Sequence, residues 1–534
     1  MKKIYYIVML LLATFSFHSC DALDLEPEDN FSAGSYWKNE AQVNNFMIGL
    51  HSDLRNALVQ NALVYGEFRG ATLSTKTTSV GTNTQYSILV QNMISEDNPY
   101  KKNWGDMYSR LLQVNHMIEN LQSGCTFLSE KSRGYYEGIA YGLRAYYYFW
   151  LYRSYGGVPL ELDVKVDKGN IDVNTLYMER ASAEATLLQI KRDVQTSLDA
   201  FAKTDLANSD FHFWSKDASL MLKADVYLWS AKVTMPDAKE PHIATYSRED
   251  LDAAKQALDQ LPDFYKLEKD FSLLFKNGGK SRKFNNETVL ALYLDKDERV
   301  ERDFFRTFFY HLNFNNHDMV DAEGKEVGSD PLQLFGEGLL YNEYRESLVN
   351  SFDKKDTRRA ATFFEYFTKE NHQFGCNMLK FYGQNSGGQH YFDPDVVLYR
   401  YADAVLMKAE IENALGNDPS AYINQIRQRA YGENYTSDLA YKNGTFAENE
   451  LAILKERDKE FVGEGKRWFD LIRLQDANKQ SLVFSADAAY AEGDYLAPVL
   501  NKATQSYMVL WPIDVDLMNN DPLLKQTVGY PTKK

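Results

Sequence analysis

The residues best suited to chemistry lie in one stretch, ILKERDKEFVGEGKRWFDLIRL, at positions 453–474. Either Glu460 or Glu464 could act as a general acid or base if its pKa were raised towards neutrality. Each acid in this stretch, however, has an arginine within one helical turn, and such a neighbour lowers a carboxyl pKa. We therefore interpret the stretch as a charge network that clamps two helices across the Gly463–Gly465 turn. Its members are Glu456, Arg457, Glu460, Glu464, Arg467, Asp470 and Arg473.

No signature of a known catalytic or cofactor site accompanies this network. KNGGKS, at 276–281, is similar to a phosphate-binding loop, but Leu274 stands where that loop requires its first glycine. The sequence contains no HExxH, no GxSxG and no CxxC pair. We expect no catalytic residue, no metal ligand and no cofactor. A glycosidase-type pair of carboxylates stays open, because 75 Asp and Glu residues will bring some acids together by chance.

The first 20 residues, MKKIYYIVMLLLATFSFHSC, have the organisation of a secretory signal. Two lysines precede an apolar run at 4–17, which is shorter than the roughly 20 residues that span a bilayer. Cys20 ends the run in a way that resembles the lipobox of bacterial lipoproteins. We predict a signal peptide over 1–19 and lipid attachment at Cys20; the alternative is an ordinary signal peptide that is cleaved elsewhere. Acidic residues behind Cys20 cannot enter lipid, so the chain would contact the membrane through its N-terminal lipid only.

Composition excludes one class of partner. The chain carries 59 basic and 75 acidic residues, a net charge of −16, whereas nucleic-acid binding requires clustered Lys and Arg. No second run of 18 apolar residues predicts a membrane-spanning helix. Cys125 and Cys376 could pair in an oxidising compartment or stay free, and the sequence leaves both options open.

Helical periodicity dominates the rest of the chain. Apolar residues recur at three- and four-residue steps in EAQVNNFMIGLHSDLRNAL, for example at Val43, Leu50 and Leu54. In the run AYYYFWLYRSYGG the aromatic side chains occupy consecutive positions, so they project from all sides of a helix. We therefore predict a helix buried between its neighbours rather than a sugar-binding platform. Further helices are predicted over 180–201, 215–233, 248–261, 396–415, 419–430, 447–462 and 466–475.

These helices predict a mainly α fold, built on a scaffold like tetratricopeptide repeats with a few short strands. A loop-rich insertion at 66–103 and an irregular region at 266–395, with the strand candidate TVLALYL, interrupt the pattern. Long irregular segments on a rigid scaffold commonly carry binding sites. We therefore divide the mature chain into a helical region (20–265), an irregular ligand-site region (266–395) and a C-terminal helical region (396–534).

Five sequence blocks, in order along the chain, resemble the SusD/RagB family of outer-membrane nutrient-binding lipoproteins. They are CDALDLEPEDNFSAGSYWKNEAQ, LRAYYYFWLYRSYGGVPL, YRYADAVLMKAEIENALG followed by INQIRQRA, ERDKEFVGEGKRWFDLIRL, and WPIDVDLMNNDPLLKQTVGY. The last block departs from the family's closing "PIP…NPxLxQNPGY": Asp514 replaces the second proline, and Thr527 with Val528 replaces Asn-Pro. Chance resemblance in five ordered blocks is very improbable.

The resemblance implies a non-catalytic protein at the outer membrane, anchored by lipid and facing the cell exterior. Family members resemble lids on a SusC-like TonB-dependent barrel, to which they deliver captured oligosaccharides. Two alternatives stay open: capture of peptides, as in the RagB branch, and a surface-anchored glycoside hydrolase. A hydrolase would need a carboxyl pair with one raised pKa.

The ligand-binding residues are sought among aromatic and polar side chains in the irregular segments. In YGEFRGATLSTKTTSVGTNTQYS these are Arg69 and Tyr86, and in FFRTFFYHLNFNNHD they are Phe305 and Tyr310. Family loops at comparable places resemble contributors to the ligand cleft, which favours both segments. FFRTFFY could instead form a buried strand whose alternate rings face a core.

Overall fold

The structure, a computed structural model, describes most of the chain. The described residues are 36–78, 84–100, 104–165, 172–207, 210–235, 242–243, 246–275, 285–297, 302–310, 319–336 and 338–531. The predicted signal peptide at 1–19 and Cys20 lie outside them. Within these ranges no helix is long and apolar enough to cross a membrane.

The described residues are mainly α-helical, as the sequence predicts. The helices are α1 (Glu40–Leu58), α2 (Asn61–Gly66), α3 (Thr84–Val90), α4 (Gly105–Ser123), α5 (Glu130–Tyr155), α6 (Ala183–Phe201), α7 (Lys216–Lys232), α8 (Arg248–Asp259), α9 (Arg302–Phe309), α10 (Glu346–Val349), α11 (Thr357–Thr362), α12 (Tyr401–Ala414), α13 (Ser420–Tyr431), α14 (Phe446–Phe461), α15 (Arg467–Arg473), α16 (Lys502–Gln505) and α17 (Val515–Asn520). Helices that follow one another pack together: α4, α5, α6, α7 and α8 form one series, and α12 contacts α8, α13 and α14.

Several long helices begin at a serine whose side chain caps the helix. Ser129, Ser182, Ser215 and Ser247 each accept a hydrogen bond from the backbone N–H three residues later, at the starts of α5, α6, α7 and α8. Such a cap satisfies a donor that has no partner inside the helix and contributes about 1 kcal/mol. Local sequence therefore fixes where these helices start.

Helix α5 is the buried centre of the N-terminal half. Its aromatic run, from Tyr146 to Tyr152, is almost fully buried, so the prediction of a core helix is confirmed. Gly142 makes this packing possible, because a Cβ at that position would lie 2.0 Å from Nε1 of Trp214. The helix ends at Gly156, whose φ of +78° lies in a region that side chains rarely adopt.

Nine short strands accompany the helices in the described residues, most of them in the irregular region. They are β1 (Val233–Thr234), β2 (His242–Ile243), β3 (Thr288–Leu292), β4 (Met319–Val320), β5 (Phe363–Thr368), β6 (Phe374–Met378), β7 (Gln384–Ser386), β8 (Gln389–Tyr391) and β9 (Val396–Arg400). The predicted strand TVLALYL is β3, and it pairs antiparallel with β9. The helix predicted over 396–415 is therefore wrong at its start: residues 396–400 form β9, and α12 begins at Tyr401. A second sheet has the order β4-β5-β6, and the other two sheets are the pairs β1-β2 and β7-β8.

The charged stretch at 453–474 forms a buried ionic network, which confirms its structural interpretation. Glu460 is fully buried on α14 and pairs with Arg358, Arg400 and Arg429. Burial alone would raise the pKa of Glu460, but the three guanidinium groups outweigh it and hold that pKa well below its usual range. The clamp is wider than the two helices predicted, since these arginines come from α11, β9 and α13.

Cys125 and Cys376 are both buried, and both are free thiols. The disulfide option that the sequence left open is therefore not realised. Burial raises the pKa of the Cys376 thiol well above its ordinary value, so this cysteine is an inert core residue.

Candidate functional site

The structure places the four predicted ligand-binding residues in the interior. Arg69 is fully buried, with its guanidinium 4.1 Å from the ring centre of Trp468. Tyr86 lies on α3 rather than in a loop and packs edge-on against Phe308, with ring centres 4.6 Å apart.

Phe305 belongs to α9, so FFRTFFY is mostly helix and not a loop or a strand. Its ring stacks on Phe381 at 4.5 Å. Tyr310, directly after α9, is buried and donates its hydroxyl hydrogen to the carbonyl of Met378. In this structure none of the four predicted side chains presents a free face to a ligand.

The two irregular segments that contain these residues nevertheless meet. Leu73 and Tyr344 form an antiparallel β-bridge. On one side of it the backbone N–H of Ser74 donates to the carbonyl of Glu343 at 2.7 Å, and on the other the N–H of Arg345 donates to Thr72 at 2.8 Å. The segment after α2 is therefore joined to the segment before α10 by regular backbone hydrogen bonds.

A cleft of about 550 Å³ opens beside this bridge. Four chain segments line it, and we call it the bridge cleft; its lining residues are Ser74, Lys76, Glu343, Tyr344, Arg345, Glu346, Ser347, Asn350, Gln373, Phe374, Ala491, Glu492 and Gly493. Its volume suits a small ligand or a few sugar units. None of the four predicted residues is among them, although three of the four segments belong to the predicted irregular regions.

Glu343 forms the buried floor of the bridge cleft. Its carboxylate accepts hydrogen bonds from the backbone N–H of Thr78 at 2.7 Å, the Thr78 hydroxyl at 3.0 Å, the Tyr366 hydroxyl at 2.8 Å and the Cys376 N–H at 3.1 Å. Burial raises the pKa of Glu343 to about 7, although these hydrogen bonds act in the opposite direction. One carboxyl group thus holds both the 74–78 segment and the β5–β6 hairpin.

Arg345 and Glu492 close the side of the bridge cleft. The Arg345 guanidinium donates to the carbonyls of Leu73 at 3.1 Å and Tyr490 at 2.7 Å, and it lies 3.4 Å from Glu492. Glu492 in turn accepts hydrogen bonds from the hydroxyl of Ser74 at 2.9 Å and the backbone N–H of Thr75 at 2.6 Å. Burial acts to raise the pKa of Glu492, but these donors and Arg345 outweigh it and lower that pKa.

An aromatic surface forms another wall of the bridge cleft. Phe374, half-buried at the start of β6, meets Phe367 edge-on with ring centres 5.7 Å apart. Phe367 is itself stacked on His372 at 4.5 Å, with the two ring planes 9° apart. The hairpin therefore contacts the Phe374 ring through Phe367, while the ring stays partly accessible and lines the cleft.

Apart from the buried Glu343, the charged side chains that line the bridge cleft balance. Lys76 and Glu346 are exposed and of opposite sign, and Arg345 is matched by Glu492. Asn350 is also exposed, and Gln373 is half-buried. Amide, ammonium and carboxylate groups around an aromatic face are suited to a ligand with many hydroxyl groups and apolar C–H faces.

A second cleft, of about 450 Å³, lies between α1 and β3. His212 contributes to it and is held between Asp210 at 2.6 Å and Asp395 at 2.9 Å. Burial would lower the pKa of His212, but the two carboxylates outweigh it and raise that pKa. Since this histidine is already held on both ring nitrogens, we regard the bridge cleft as the better candidate site. Over the described ranges, no group of three or more His, Cys, Asp or Glu residues could hold a metal ion.

Two family models match the chain. Residues 268–530 match the model described as "SusD family", and residues 21–228 match the one described as "Starch-binding associating with outer membrane". Together they account for most of the sequence, including both segments that form the bridge.

Individual proteins agree with the family models. A SusD superfamily protein from Bacteroides fragilis has a solved structure with a TM-score of 0.81 and 34% identity, covering 93% of this chain and 100% of that one. SusD-like protein P38 from Formosa agariphila is 24% identical and aligns over 99% of both chains. The starch-binding protein SusD from Bacteroides thetaiotaomicron is 29% identical over 161 residues, which is 29% of this chain and 26% of that protein.

The helical scaffold and its loop-lined cleft are those of a ligand-binding protein built on a tetratricopeptide-like framework. The chain belongs to the SusD family, as the family model and the solved relative at 34% identity show. The family resemblance predicted from the five sequence blocks is confirmed, and so is the predicted fold class.

Proposed function

We propose that this protein binds oligosaccharides in the bridge cleft, without catalysis, at the surface of the outer membrane. The observation that carries the proposal is the Phe374 ring, which the β5–β6 hairpin holds beside charge-balanced polar groups. An aromatic ring can stack on the C–H face of a sugar, while Asn350, Lys76 and Glu346 bond to its hydroxyl groups. Membership of a family that contains starch-binding proteins supports the same ligand class.

The proposal includes delivery to a partner. By its family, the protein would be anchored through a lipid on Cys20 and would pass its ligand to a SusC-like TonB-dependent barrel. Co-purification of the full-length protein with a barrel from detergent-solubilised outer membranes tests the partner. Recovery of the protein alone under conditions that preserve other membrane complexes would contradict it.

The test of the site is calorimetric titration of the soluble chain that begins at Asp21. The probes are malto-, cello-, xylo- and manno-oligosaccharides of one to six units, together with a panel of short peptides. Phe374→Ala should weaken binding of the best glycan by about 1–3 kcal/mol, the size found for stacking of a base on an aromatic ring. The matched control is Phe264→Ala, which removes an exposed ring (57%) that does not line the cleft and should change nothing.

Each outcome has a clear meaning. An unchanged affinity in Phe374→Ala would remove this ring from the site. Binding of peptides with no binding of glycans would favour the RagB-like alternative.

A hydrolase is the second candidate, because Glu343 and Glu492 both line the cleft and their pKa values are shifted in opposite directions. That difference is typical of a glycosidase acid and its partner. Here, however, Glu343 is buried and its two oxygens already accept four hydrogen bonds, so it is poorly placed to protonate a glycosidic oxygen. Release of reducing sugar that is lost in Glu343→Gln would overturn the non-catalytic assignment.

A further inference from the structure

Tyr495 is the most exposed large apolar side chain among the described residues, at 73%. It lies on a tight turn in which Gly493 and Asp494 connect Glu492 to Tyr495. The backbone N–H of Glu492 donates to the carbonyl of Tyr495 at 2.9 Å, and the reverse bond is 3.2 Å. Burial in a core therefore does not explain why an aromatic residue occupies this position.

The base of this turn is one wall of the bridge cleft. Ala491, Glu492 and Gly493 line the cleft. The Ser347 hydroxyl donates to the carbonyl of Ala491 at 2.6 Å, and Glu492 is fixed by Ser74, Thr75 and Arg345 as described above. The turn is thus anchored at the wall, and it carries Tyr495, which does not itself line the cleft, two residues beyond the last lining residue.

An exposed tyrosine on an anchored turn is well suited to contact a sugar. Its ring offers an apolar face and its hydroxyl a polar edge, and only two side-chain torsions become fixed on binding. Phe374 occupies a different wall of the cleft, on the β5–β6 hairpin. A ligand that contacts both rings must therefore extend beyond the residues that line the cleft.

We propose that Tyr495 is a second stacking position, which makes the bridge cleft select oligosaccharide chains over single sugars. This inference rests on the proposed function, because it takes the glycan at Phe374 as given. Tyr495 acts only on a sugar unit that protrudes from the cleft, so its contribution depends on the length of the ligand.

The test is calorimetry of Tyr495→Ala against the oligosaccharide series, from one to six units, that binds the unmodified protein best. For chains of three or more units Tyr495→Ala should weaken binding by about 5- to 150-fold, which is the range of one stacked ring. Binding of the single sugar and the disaccharide should not change. Tyr495→Phe should keep the affinity of all lengths, because it keeps the ring.

The neighbouring residue supplies a matched control. Leu496 is also exposed, at 53%, and it follows Tyr495 directly. Leu496→Ala should bind every chain length as the unmodified protein does. Thermal melting should show no change for either variant, since neither side chain is buried.

The outcomes separate this inference from the proposed function. If Phe374→Ala loses affinity and Tyr495→Ala does not, the second stacking position is refuted, while the proposal that the bridge cleft binds the glycan is retained. An equal loss at every length, or an equal loss in Leu496→Ala, also refutes the selection of long chains by Tyr495. If the protein binds a glycan and neither ring matters, the bridge cleft is not the site and both proposals fail.

Discussion

Replacing Arg467 by alanine should cost the protein about 3–5 kcal/mol of unfolding free energy. The Arg467 side chain is buried and its guanidinium reaches three segments of the chain. It donates to the carbonyl of Gly70 at 2.7 Å, to the carboxylate of Asp458 at 2.5 Å and to the carbonyl of Ala488 at 2.7 Å. Its three hydrogen bonds thus join α15 to α14, to the segment after α2 and to the segment around Ala488.

The magnitude follows from what the substitution leaves behind. Asp458 is buried, and without Arg467 it would keep the Tyr490 hydroxyl, at 2.9 Å, as its remaining side-chain partner. A buried carboxylate that loses its cation costs several kcal/mol, whereas removal of both charges together costs far less. The double variant Arg467→Met with Asp458→Asn should therefore recover more than half of the stability that Arg467→Ala loses.

Urea unfolding followed by tryptophan fluorescence measures these differences. A loss below about 1 kcal/mol in Arg467→Ala would place the pair in the range of exposed salt bridges and refute the buried clamp. A double variant as unstable as Arg467→Ala would show that the cost is lost packing and not a stranded charge. Glycan affinity, at a temperature where the single variant is folded, should be unchanged, and a stable variant that no longer binds would assign the network to the site.

Two further predictions concern the anchor and the floor of the cleft. Cys20→Ala should release the folded protein from the membrane fraction of cells that lack the barrel partner, because acyl chains supply the membrane affinity; retention there would contradict the lipobox. Burial raises the pKa of Glu343 from 4.5 to about 7 in the folded state. Between these two pH values the folded state therefore binds a proton that the unfolded state does not bind. The stability that this group contributes is complete below pH 4.5 and is lost as the pH rises through 7. The urea midpoint of the unmodified protein should therefore fall as the pH rises from 4.5 to 7, and in Glu343→Gln it should fall less. An equal fall in both proteins would show that Glu343 does not titrate in this range. Some slope should persist, because burial also raises the pKa of Glu67 to about 7.

Sequence reasoning located the scaffold because its signals are local. The helix predicted over 215–233 is Lys216–Lys232 in the structure, since its apolar periodicity is bounded by the capping residue Ser215. Within the network at 453–474, the alternation of charge at helical spacing also predicted a charge network between two helices, but not its burial. The distant partners of the network could not be predicted. Glu464 pairs with Lys380 and Arg400, which lie 84 and 64 positions away in the sequence, and periodicity along the chain does not identify partners so far apart.

The proposed ligand site was harder to predict, because an aromatic residue in a predicted loop is equally suited to a core. Tyr86 and Phe305 belong to short helices whose burial depends on long-range packing, for example of Phe305 on Phe381. A usable signal was present in FFEYFTKENHQFGCNM, where a polar turn separates the aromatic run FFEYF from one further phenylalanine and predicts a hairpin with rings near its tip. Phe374 lies in that stretch. Tyr495 has a weaker signal, the turn-forming Gly493 and Asp494 before it.

The contacts beneath the bridge cleft separate stability from ligand choice. The backbone N–H of Gly463, in the turn between α14 and α15, donates to Glu67 at 3.1 Å, and the Tyr344 hydroxyl approaches the same carboxylate at 3.5 Å. Tyr344 in turn forms the bridge with Leu73. The floor of the cleft is thus tied to the buried charge network of the scaffold.

Two of the side chains proposed to contact the ligand, in contrast, have little part in the packing of the scaffold. These are Lys76 and Tyr495, which are both exposed. Surface substitutions of this kind usually change stability by less than about 0.5 kcal/mol. Under the proposed function, changes at these two positions would alter which glycan is bound while the floor, and the fold that holds it, stay the same.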